Sequence, residues 1–377
     1  MLQASLNALS AALLLHLAPV ARALPQGGPV VSASGPQSTD SSKILNDPAF
    51  GPIPAESPYY SSYNGTDPPF PGNYTQPVFA TASGPPGPDD LLFQNLLGAE
   101  WAIYAFYQYG VETFNESAFT AAGYPPQTYQ RIVEIRDNEA GHARIFGEAI
   151  SSTSTKPALC KYQFGISSPT AYLAAHTTVE ISSMAFLTGL IQEAQLNSSK
   201  AALVAIAEVE SRHTAWGLID IWQTSPFSGP VDTAFPYANQ ILDTTKIFIV
   251  PGSCPKGNPD YPVPSQNLPA LSFHGNYTSL LPGAKVELAF ADPDNQPKFE
   301  PGTDYYAVFF HGLLNITEPF DTKTNVTMIP KEFEQKGLFL GVISDTPGAP
   351  TLETVKAGPL IVVEQPVQIN QGVDAKA

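Results

Sequence analysis

Two short stretches of the chain share one spacing: Asn138-Glu139-Ala140-Gly141-His142 and Glu210-Ser211-Arg212-His213. In each stretch a histidine follows a glutamate by three residues, so both side chains lie on one face of an α-helix. Apolar residues continue each face at steps of three or four: Ile132, Ile135 and Phe146 in the first stretch, Leu203 and Ile206 in the second. The spacing predicts two helices that each direct a carboxylate and an imidazole into an apolar core.

Two further helical stripes each contain one carboxylate. Glu100 lies in phase with Leu96 and Ile103, and Glu180 lies in phase with Leu173 and Leu187. A buried carboxylate without a partner is costly, and four carboxylates in one core would repel each other. A pair of metal cations removes both penalties. The order of glutamates and Glu-x-x-His pairs is the ligand pattern of carboxylate-bridged dinuclear helix bundles. It predicts a site formed by Glu100, Glu139, His142, Glu180, Glu210 and His213.

Four long helices without intervening strands predict a helix bundle over 89–224. The expected helices are 89–114 with Asp89 as N-cap, 127–150, 169–196 with Ser168 as N-cap, and 199–223 with Ser199 as N-cap. The connection 151–168 can span ~60 Å when extended. A helix of ~23 residues is ~35 Å long. This connection can therefore run the length of the bundle.

The sequence resembles a known family in three runs: Gly98-Ala99-Glu100-Trp101, Asn138–His142 and Glu210–His213. They look like the ferritin-like domain of fungal secreted stress-response proteins, including late-sexual-development proteins, and more distantly plant desiccation-related proteins. The resemblance in motif covers about 90–225, and the order of signal, proline-rich arm and β-rich tail is similar to that of the fungal branch. It implies a ferritin-like fold that binds two iron or two manganese ions through the six residues above. It implies no established reaction.

Three further residues lie next to the predicted ligands. His176 precedes Glu180 by one helical turn, and it is either a partner of a ligand or an additional ligand. Tyr104 and Tyr107 follow Glu100 by one and two turns. They either pack in the core, as most buried tyrosines do, or donate hydrogen bonds and relay electrons at the site.

The region 265–366 changes to alternating apolar and polar residues with turn signals between the segments. This pattern is typical of an antiparallel β-sandwich. The expected strands are Ala270–His274, Lys285–Phe290, Tyr305–Leu314, Asn325–Ile329, Leu338–Ser344 and Leu360–Glu364. We interpret 225–264 as a linker and 367–377 as a tail. The predicted fold is α+β multidomain, a ferritin-like four-helix bundle followed by a β-sandwich-like domain.

The first residues indicate a signal peptide over 1–23, with a short apolar run and cleavage after Ala23. The run is shorter than the ~20 apolar residues of a membrane-spanning helix and is interrupted by His16 and Pro19, so no membrane span is expected. Proline, serine and glycine dominate 24–88, which predicts a disordered or extended arm. These features predict a secreted protein, extracellular or in the cell wall.

Cysteines and glycosylation motifs agree with secretion. In an oxidising compartment, Cys160 and Cys254 are expected to form one disulfide. Seven Asn-x-Ser/Thr motifs are candidate glycan acceptors. Their asparagines are Asn64, Asn73, Asn115, Asn197, Asn276, Asn315 and Asn325.

Charge and motifs narrow the functional classes. With 34 acidic and 18 basic side chains the net charge is −16, which argues against binding nucleic acid. Catalytic triads, phosphate loops and dinucleotide fingerprints are absent from the sequence. The sequence is compatible with two functions. One is a dinuclear oxidoreductase acting on peroxide, dioxygen or ferrous iron, with a catalase-like or ferroxidase-like reaction. The other is a non-catalytic stress or developmental protein that contacts the cell wall or matrix.

Overall fold

The computed structural model describes residues 72–227, 235–274, 281–290, 292–312, 314–333 and 337–363. The predicted signal peptide, the arm before residue 72, the tail, Asn64 and Asn276 lie outside the described residues. All described residues belong to one compact unit, Ala55–Ala377.

Four long helices form the first part of the fold. They are α1 (Asp90–Thr113), α3 (Thr128–Ala149), α4 (Pro169–Leu190) and α5 (Asn197–Trp216), and a short α2 (Glu116–Ala121) precedes α3. Helix α1 packs against α3, and α4 packs against α5. A π-helical turn, Gly217–Ile221, continues α5, and a further helix, α6 (Ala238–Lys246), follows. Helices α1 and α3 match their predicted limits within one residue.

The start of α4 is as predicted, because the Ser168 side chain accepts a hydrogen bond from the Ala171 N–H. Its predicted end at 196 is wrong, since α4 stops at Leu190. Asp89 is the N-cap residue of α1, as predicted, but its side chain makes no capping bond, and the predicted N-cap Ser199 is wrong because it lies inside α5.

A tertiary contact between Asp89 and Ser199 explains why neither side chain caps its own helix. The Asp89 carboxylate accepts from the N–H of Gln195 at 2.8 Å and of Leu196 at 3.0 Å, just before α5. The Ser199 hydroxyl bonds to the same carboxylate. Both side chains therefore join the start of α1 to the start of α5 instead of capping their own helices.

Two antiparallel sheets form the second part. One has the order β1-β2-β5, with β1 (Leu271–Phe273), β2 (Lys285–Phe290) and β5 (Val326–Met328). The other has the order β4-β3-β6-β7, with β3 (Tyr305–His311), β4 (Leu314–Phe320), β6 (Leu338–Ser344) and β7 (Val355–Val363). Side chains of both sheets, including Val286 and Phe339, share one apolar core. The predicted α+β fold, a helical ferritin-like part followed by antiparallel sheets, is confirmed.

The predicted single strand Tyr305–Leu314 is wrong, because the chain turns after His311 and returns as β4. Strand β4 contains Pro319. Proline is excluded from central strands because it has no backbone N–H to donate to the neighbouring strand. Since β4 lies at the edge of its sheet, its missing N–H donor is tolerated. Strand β7 begins at Val355, five residues before its predicted start.

The helices and the four-stranded sheet pack on a common apolar core. Phe235 lies between them: its N–H bonds to the Ala185 carbonyl of α4, and its ring meets the Phe310 ring of β3 edge-on at 5.4 Å. The nitrogen and carbonyl of Val263 bond to the Asn95 side chain of α1. Segments that follow the bundle in the chain therefore pack on its surface and bond to α4 and α1.

The connection between α3 and α4, called the crossover from here on, lies against α1. The Trp101 indole N–H donates to the Pro157 carbonyl at 3.0 Å. Further along, the sulfur atoms of Cys160 and Cys254 are 2.04 Å apart, at disulfide distance. The crossover is thereby tied to the segment that follows α6.

Among the predicted glycan acceptors, Asn115, Asn197 and Asn315 are exposed, and Asn325 is half-buried. Their glycosylation stays a prediction. Within the described residues, no helix is both long and apolar enough to cross a membrane.

Asp90 provides a pH-dependent test of the crossover contacts. Burial raises the pKa of its carboxyl, but hydrogen bonds from Ser151 and Ser154 outweigh this effect and lower the pKa to about 2. A lowered pKa stabilises the fold above the unfolded value of ~3.9, and this contribution is lost as the pH falls toward about 2. We expect Asp90→Asn to lower the free energy of unfolding by ~1–2 kcal/mol at neutral pH, after allowance for solvent screening.

Urea denaturation between pH 7 and pH 2.5 measures this effect, and the difference between wild type and Asp90→Asn is expected to shrink as the pH falls. The control is the exposed Asp260→Asn, which is expected to change little at any pH. A difference for Asp90→Asn that stays constant down to pH 2.5 would contradict the assignment.

Two helical glycines form a matched pair. A Cβ at Gly98 of α1 would lie 2.5 Å from the Tyr261 ring, whereas at Gly147 of α3 the nearest atom, in Leu97, is 3.7 Å away. We expect Gly98→Ala to destabilise the fold by ~1–3 kcal/mol through overpacking. Gly147→Ala is expected to stabilise it by up to ~1 kcal/mol through helix propensity. Thermal unfolding of both variants checks this, and equal effects would show that Tyr261 does not pack on α1.

Candidate metal centre

Six buried side chains from four helices meet inside the bundle. One carboxylate comes from each helix, and α3 and α5 each add a histidine one turn later. Their exposed fractions run from 0% to 6%: Glu100 3%, Glu139 0%, His142 5%, Glu180 0%, Glu210 1% and His213 6%. The structure thus brings together all six residues that the sequence predicts as ligands.

The six residues form two overlapping groups. Glu100, Glu139, His142 and Glu210 make one group; Glu139, Glu180, Glu210 and His213 make the other. Within each group the candidate ligand atoms all lie within 4.8 Å of one another. Glu139 and Glu210 belong to both groups. Each group has the composition of a site that could hold one metal ion, and the shared carboxylates would link the two.

The imidazoles lie at the centres of these groups. The Nδ1 atom of His142 is 2.9 Å from Glu139, 3.4 Å from Glu210 and 3.6 Å from Glu100. The Nδ1 atom of His213 is 3.1 Å from Glu139, 3.1 Å from Glu180 and 3.3 Å from Glu210. Each Nδ1 therefore has three carboxylates within 4 Å, more than its single N–H can bind well.

Several carboxylate oxygens lie close to an imidazole without a well-formed hydrogen bond. Oε1 of Glu100, Oε1 of Glu139 and Oε2 of Glu210 are buried and lie 3.6, 3.1 and 3.3 Å from a histidine Nδ1, but none of them makes a hydrogen bond of good geometry among the described residues. A buried unsatisfied charged oxygen is costly, and its free lone pairs are suited to a cation. This donor set fits divalent or trivalent metal ions.

Without metal, positive charge on the two imidazoles offsets the repulsion between the carboxylates. Burial, together with the charge of Glu139, raises the pKa of Glu100. Burial and the charge of Glu210 likewise raise the pKa of Glu180. Burial disfavours the charged form of His213, but the surrounding carboxylates outweigh it and raise its pKa to about 12.

The pKa of His142 is raised for the same reason: Glu139 and Glu210 outweigh the effect of burial. Burial raises the pKa of Glu139, but both histidines outweigh it and hold this pKa well below its usual range. The metal-free cluster therefore consists of protonated imidazoles between ionised carboxylates, with Glu100 and Glu180 drawn toward their neutral forms.

Tyr107 and His176 extend the cluster on one side. The Tyr107 hydroxyl lies 2.6 Å from Nδ1 of His176 and donates to Oε1 of Glu180. Both side chains are 0% exposed. Burial, and next the charge of His213, lower the pKa of His176 to about 3, so its ring is neutral. His176 belongs to neither ligand group; its Nδ1 atom contacts the Tyr107 hydroxyl and lies 4.0 Å from Oε1 of Glu180.

Tyr104 lies in a different environment. Burial and the charges of Asp137 and Glu112 raise the pKa of its hydroxyl. The Tyr107 hydroxyl, by contrast, donates directly to a candidate ligand, Glu180.

Two neighbours of the cluster were missed from the sequence. Trp216 packs edge-on against His176, with ring centroids 5.1 Å apart. Tyr261 follows the bundle in the chain; burial is the main cause of the raised pKa of its hydroxyl, and the charge of Glu100 adds to this effect. One signal in the sequence points to Trp216: the next residue is Gly217, and a glycine indicates close packing when it shares a helical face with the larger residues Leu203, Ile206, Glu210 and His213. No local pattern identifies Tyr261, because its position depends on how the chain returns to α1.

Comparison with known families agrees with this geometry. Residues 89–218 match the family described as "Ferritin-like domain". Comparison with curated proteins gives no match. The helical part of the chain is therefore a ferritin-like domain, and its buried glutamates and histidines could hold metal ions.

The protonated imidazoles of His142 and His213 lead to a calorimetric prediction. Metal binding requires neutral histidines and ionised carboxylates, so metal must displace the protons of His142 and His213. We expect Mn²⁺ binding to the metal-free protein to release protons at pH 7 and to tighten as the pH rises. Titration calorimetry in buffers of different ionisation enthalpy measures the release. Binding without proton release would contradict the assigned protonation of the cluster.

Proposed function

We propose that this protein is a secreted, stress- or development-associated ferritin-like protein whose bundle binds two iron or two manganese ions. We further propose that it acts as an oxidoreductase on peroxide, dioxygen or ferrous iron. The observation that carries the proposal is the pair of overlapping groups that share Glu139 and Glu210.

The donor set favours these metals. Carboxylates with one imidazole per group suit iron and manganese, whereas thiolate-rich sites select zinc or copper(I). Both cysteines are at disulfide distance and so offer no thiolate. Two groups with shared carboxylates also match the bundle-core arrangement of di-iron and di-manganese carboxylate proteins.

The roles of the chain's residues follow from their positions. Glu139 and Glu210 would contact both ions, and Glu100 and Glu180 would each contact one, while His142 and His213 would complete the two sets. Two redox-active ions would supply electron transfer and Lewis acidity at the site. Tyr107 holds Glu180 by a hydrogen bond and so orients a ligand. The surrounding apolar side chains exclude bulk water.

Secretion belongs to the same proposal. The predicted signal peptide, the disulfide-distance pair Cys160–Cys254 and the exposed asparagines of three Asn-x-Ser/Thr motifs are compatible with an extracellular or cell-wall protein. These features support the compartment without bearing on the reaction.

Metal analysis of the purified, secreted protein tests the proposal. We expect about two iron or manganese ions per chain, and loss of both ions in Glu139→Gln/Glu210→Gln, since each residue would serve both sites. Peroxide consumption and ferrous oxidation should disappear in the same variant. Circular dichroism checks that the variant is folded.

The matched control is Glu148→Gln/Glu208→Gln, which changes two glutamates on the same two helices that are 64% and 66% exposed. It is expected to keep both ions. A folded wild type that takes up no transition metal after reconstitution would refute the proposal and favour the non-catalytic structural alternative.

A further inference from the structure

The buried cluster is connected to the protein surface by a line of aromatic side chains. The Tyr107 hydroxyl bonds to Glu180 at one end and lies 2.6 Å from the His176 ring nitrogen at the other. The His176 ring meets the Trp216 ring edge-on at 5.1 Å. Trp216 is partly exposed, whereas Tyr107 and His176 are fully buried. The three rings therefore lead from a candidate ligand to solvent.

The end of α5 is built so that Trp216 can reach His176. The α-helix ends at Trp216, and the π-helical turn Gly217–Ile221 begins at the next residue. A Cβ at Gly217 would lie 2.9 Å from Nε2 of His176, so only glycine allows the helix to approach this closely. π-helical turns are rare and are frequently found at functional sites. The candidate ligand His213 and Trp216, at the surface end of the line, are therefore one helical turn apart on α5.

The neighbouring tryptophan is placed differently. The indole N–H of Trp222 donates to Thr177 at 2.9 Å. The indole nitrogen of Trp216 is buried and has no hydrogen-bond partner among the described residues. A buried Trp N–H usually finds a partner, so hydrogen bonding does not account for the position of Trp216. Its packing against His176 does.

The burial of the cluster restricts which substrates can react with it directly. Its six side chains are at most 6% exposed, so small molecules such as peroxide are suited to reach it and bulky reductants are not. A bulky reductant can contact only the surface of the bundle. An electron path is then needed between that surface and the cluster.

We propose that Trp216, His176 and Tyr107 form an electron-transfer path through which the protein oxidises bulky one-electron donors, such as phenols, at its surface. The proposal rests on the redox function proposed above and deepens it by naming a second substrate class and its site of reaction. Peroxide is the oxidant, consumed at the cluster.

The electrons and protons balance along this path. Tyr107 gives one electron toward the oxidised centre, and its hydroxyl proton moves along its hydrogen bond to Oε1 of Glu180. Trp216 then returns an electron to Tyr107 through His176, and Tyr107 takes its proton back from Glu180. A phenol at the surface reduces Trp216 and loses its own proton to water. In sum, two phenols and one hydrogen peroxide give two phenoxyl radicals and two water molecules.

The first test uses metal-free protein, so it does not depend on the proposed metal function. A flash-generated ruthenium(III) polypyridyl complex, too bulky to enter the bundle, oxidises side chains at the surface. Electron paramagnetic resonance detects the radicals, and the tyrosyl signal lost in Tyr107→Phe defines the Tyr107 radical. We expect this signal to be lost in Trp216→Phe as well and to persist in Trp222→Phe. Its persistence in Trp216→Phe, or its absence from wild type, would overturn the path.

The second test uses the metal-loaded protein with peroxide. Oxidation of a polymer-bound phenol is compared with oxidation of ferrous iron. We expect the ratio of phenol to ferrous oxidation to fall sharply in Trp216→Phe and to equal the wild-type ratio in Trp222→Phe. An unchanged ratio in Trp216→Phe would overturn the proposal. If no metal can be loaded, the proposed function fails, while the flash experiment still decides whether the path exists.

Discussion

The organisation of the bundle depends on one electrostatic constraint: four carboxylates from four helices are buried within a few ångströms of each other. In water such groups stay ionised and separate, and in an apolar core their repulsion and lost hydration would oppose folding. Here two imidazoles lie between them, each with its Nδ1 atom within 4 Å of three carboxylates. Positive charge at the centre, from protons or from metal, is what makes the arrangement stable.

The remainder of the structure supports this arrangement from outside. Asp89 joins the starts of α1 and α5, and Asp90 fixes the crossover against α1. The segment after α6 packs across α1 through Asn95 and Tyr261. These contacts hold four helices in register, so that side chains far apart in the sequence converge on one point. Metal geometry of this kind needs such rigid support.

Much of the candidate site could be predicted because its signal is local. Glu139 with His142, and Glu210 with His213, lie one helical turn apart, and Glu100 and Glu180 share the phase of their apolar stripes. Helical period alone places them on buried faces. Features that depend on distant partners could not be predicted in this way. Ser199 is predicted as an N-cap, but it bonds to Asp89 instead, and β4 is absent from the predicted strands, although its Pro319 is tolerated because β4 lies at the edge of its sheet.

We propose that two metal ions share Glu139 and Glu210 inside the bundle. A crystal structure of the metal-loaded protein, with anomalous diffraction recorded at the absorption edges of iron and manganese, tests this directly. We expect two anomalous peaks, both within bonding distance of the Glu139 and Glu210 carboxylates, with His142 beside one peak and His213 beside the other. An ordered cluster without anomalous density, or a single peak bound by neither shared carboxylate, would contradict it.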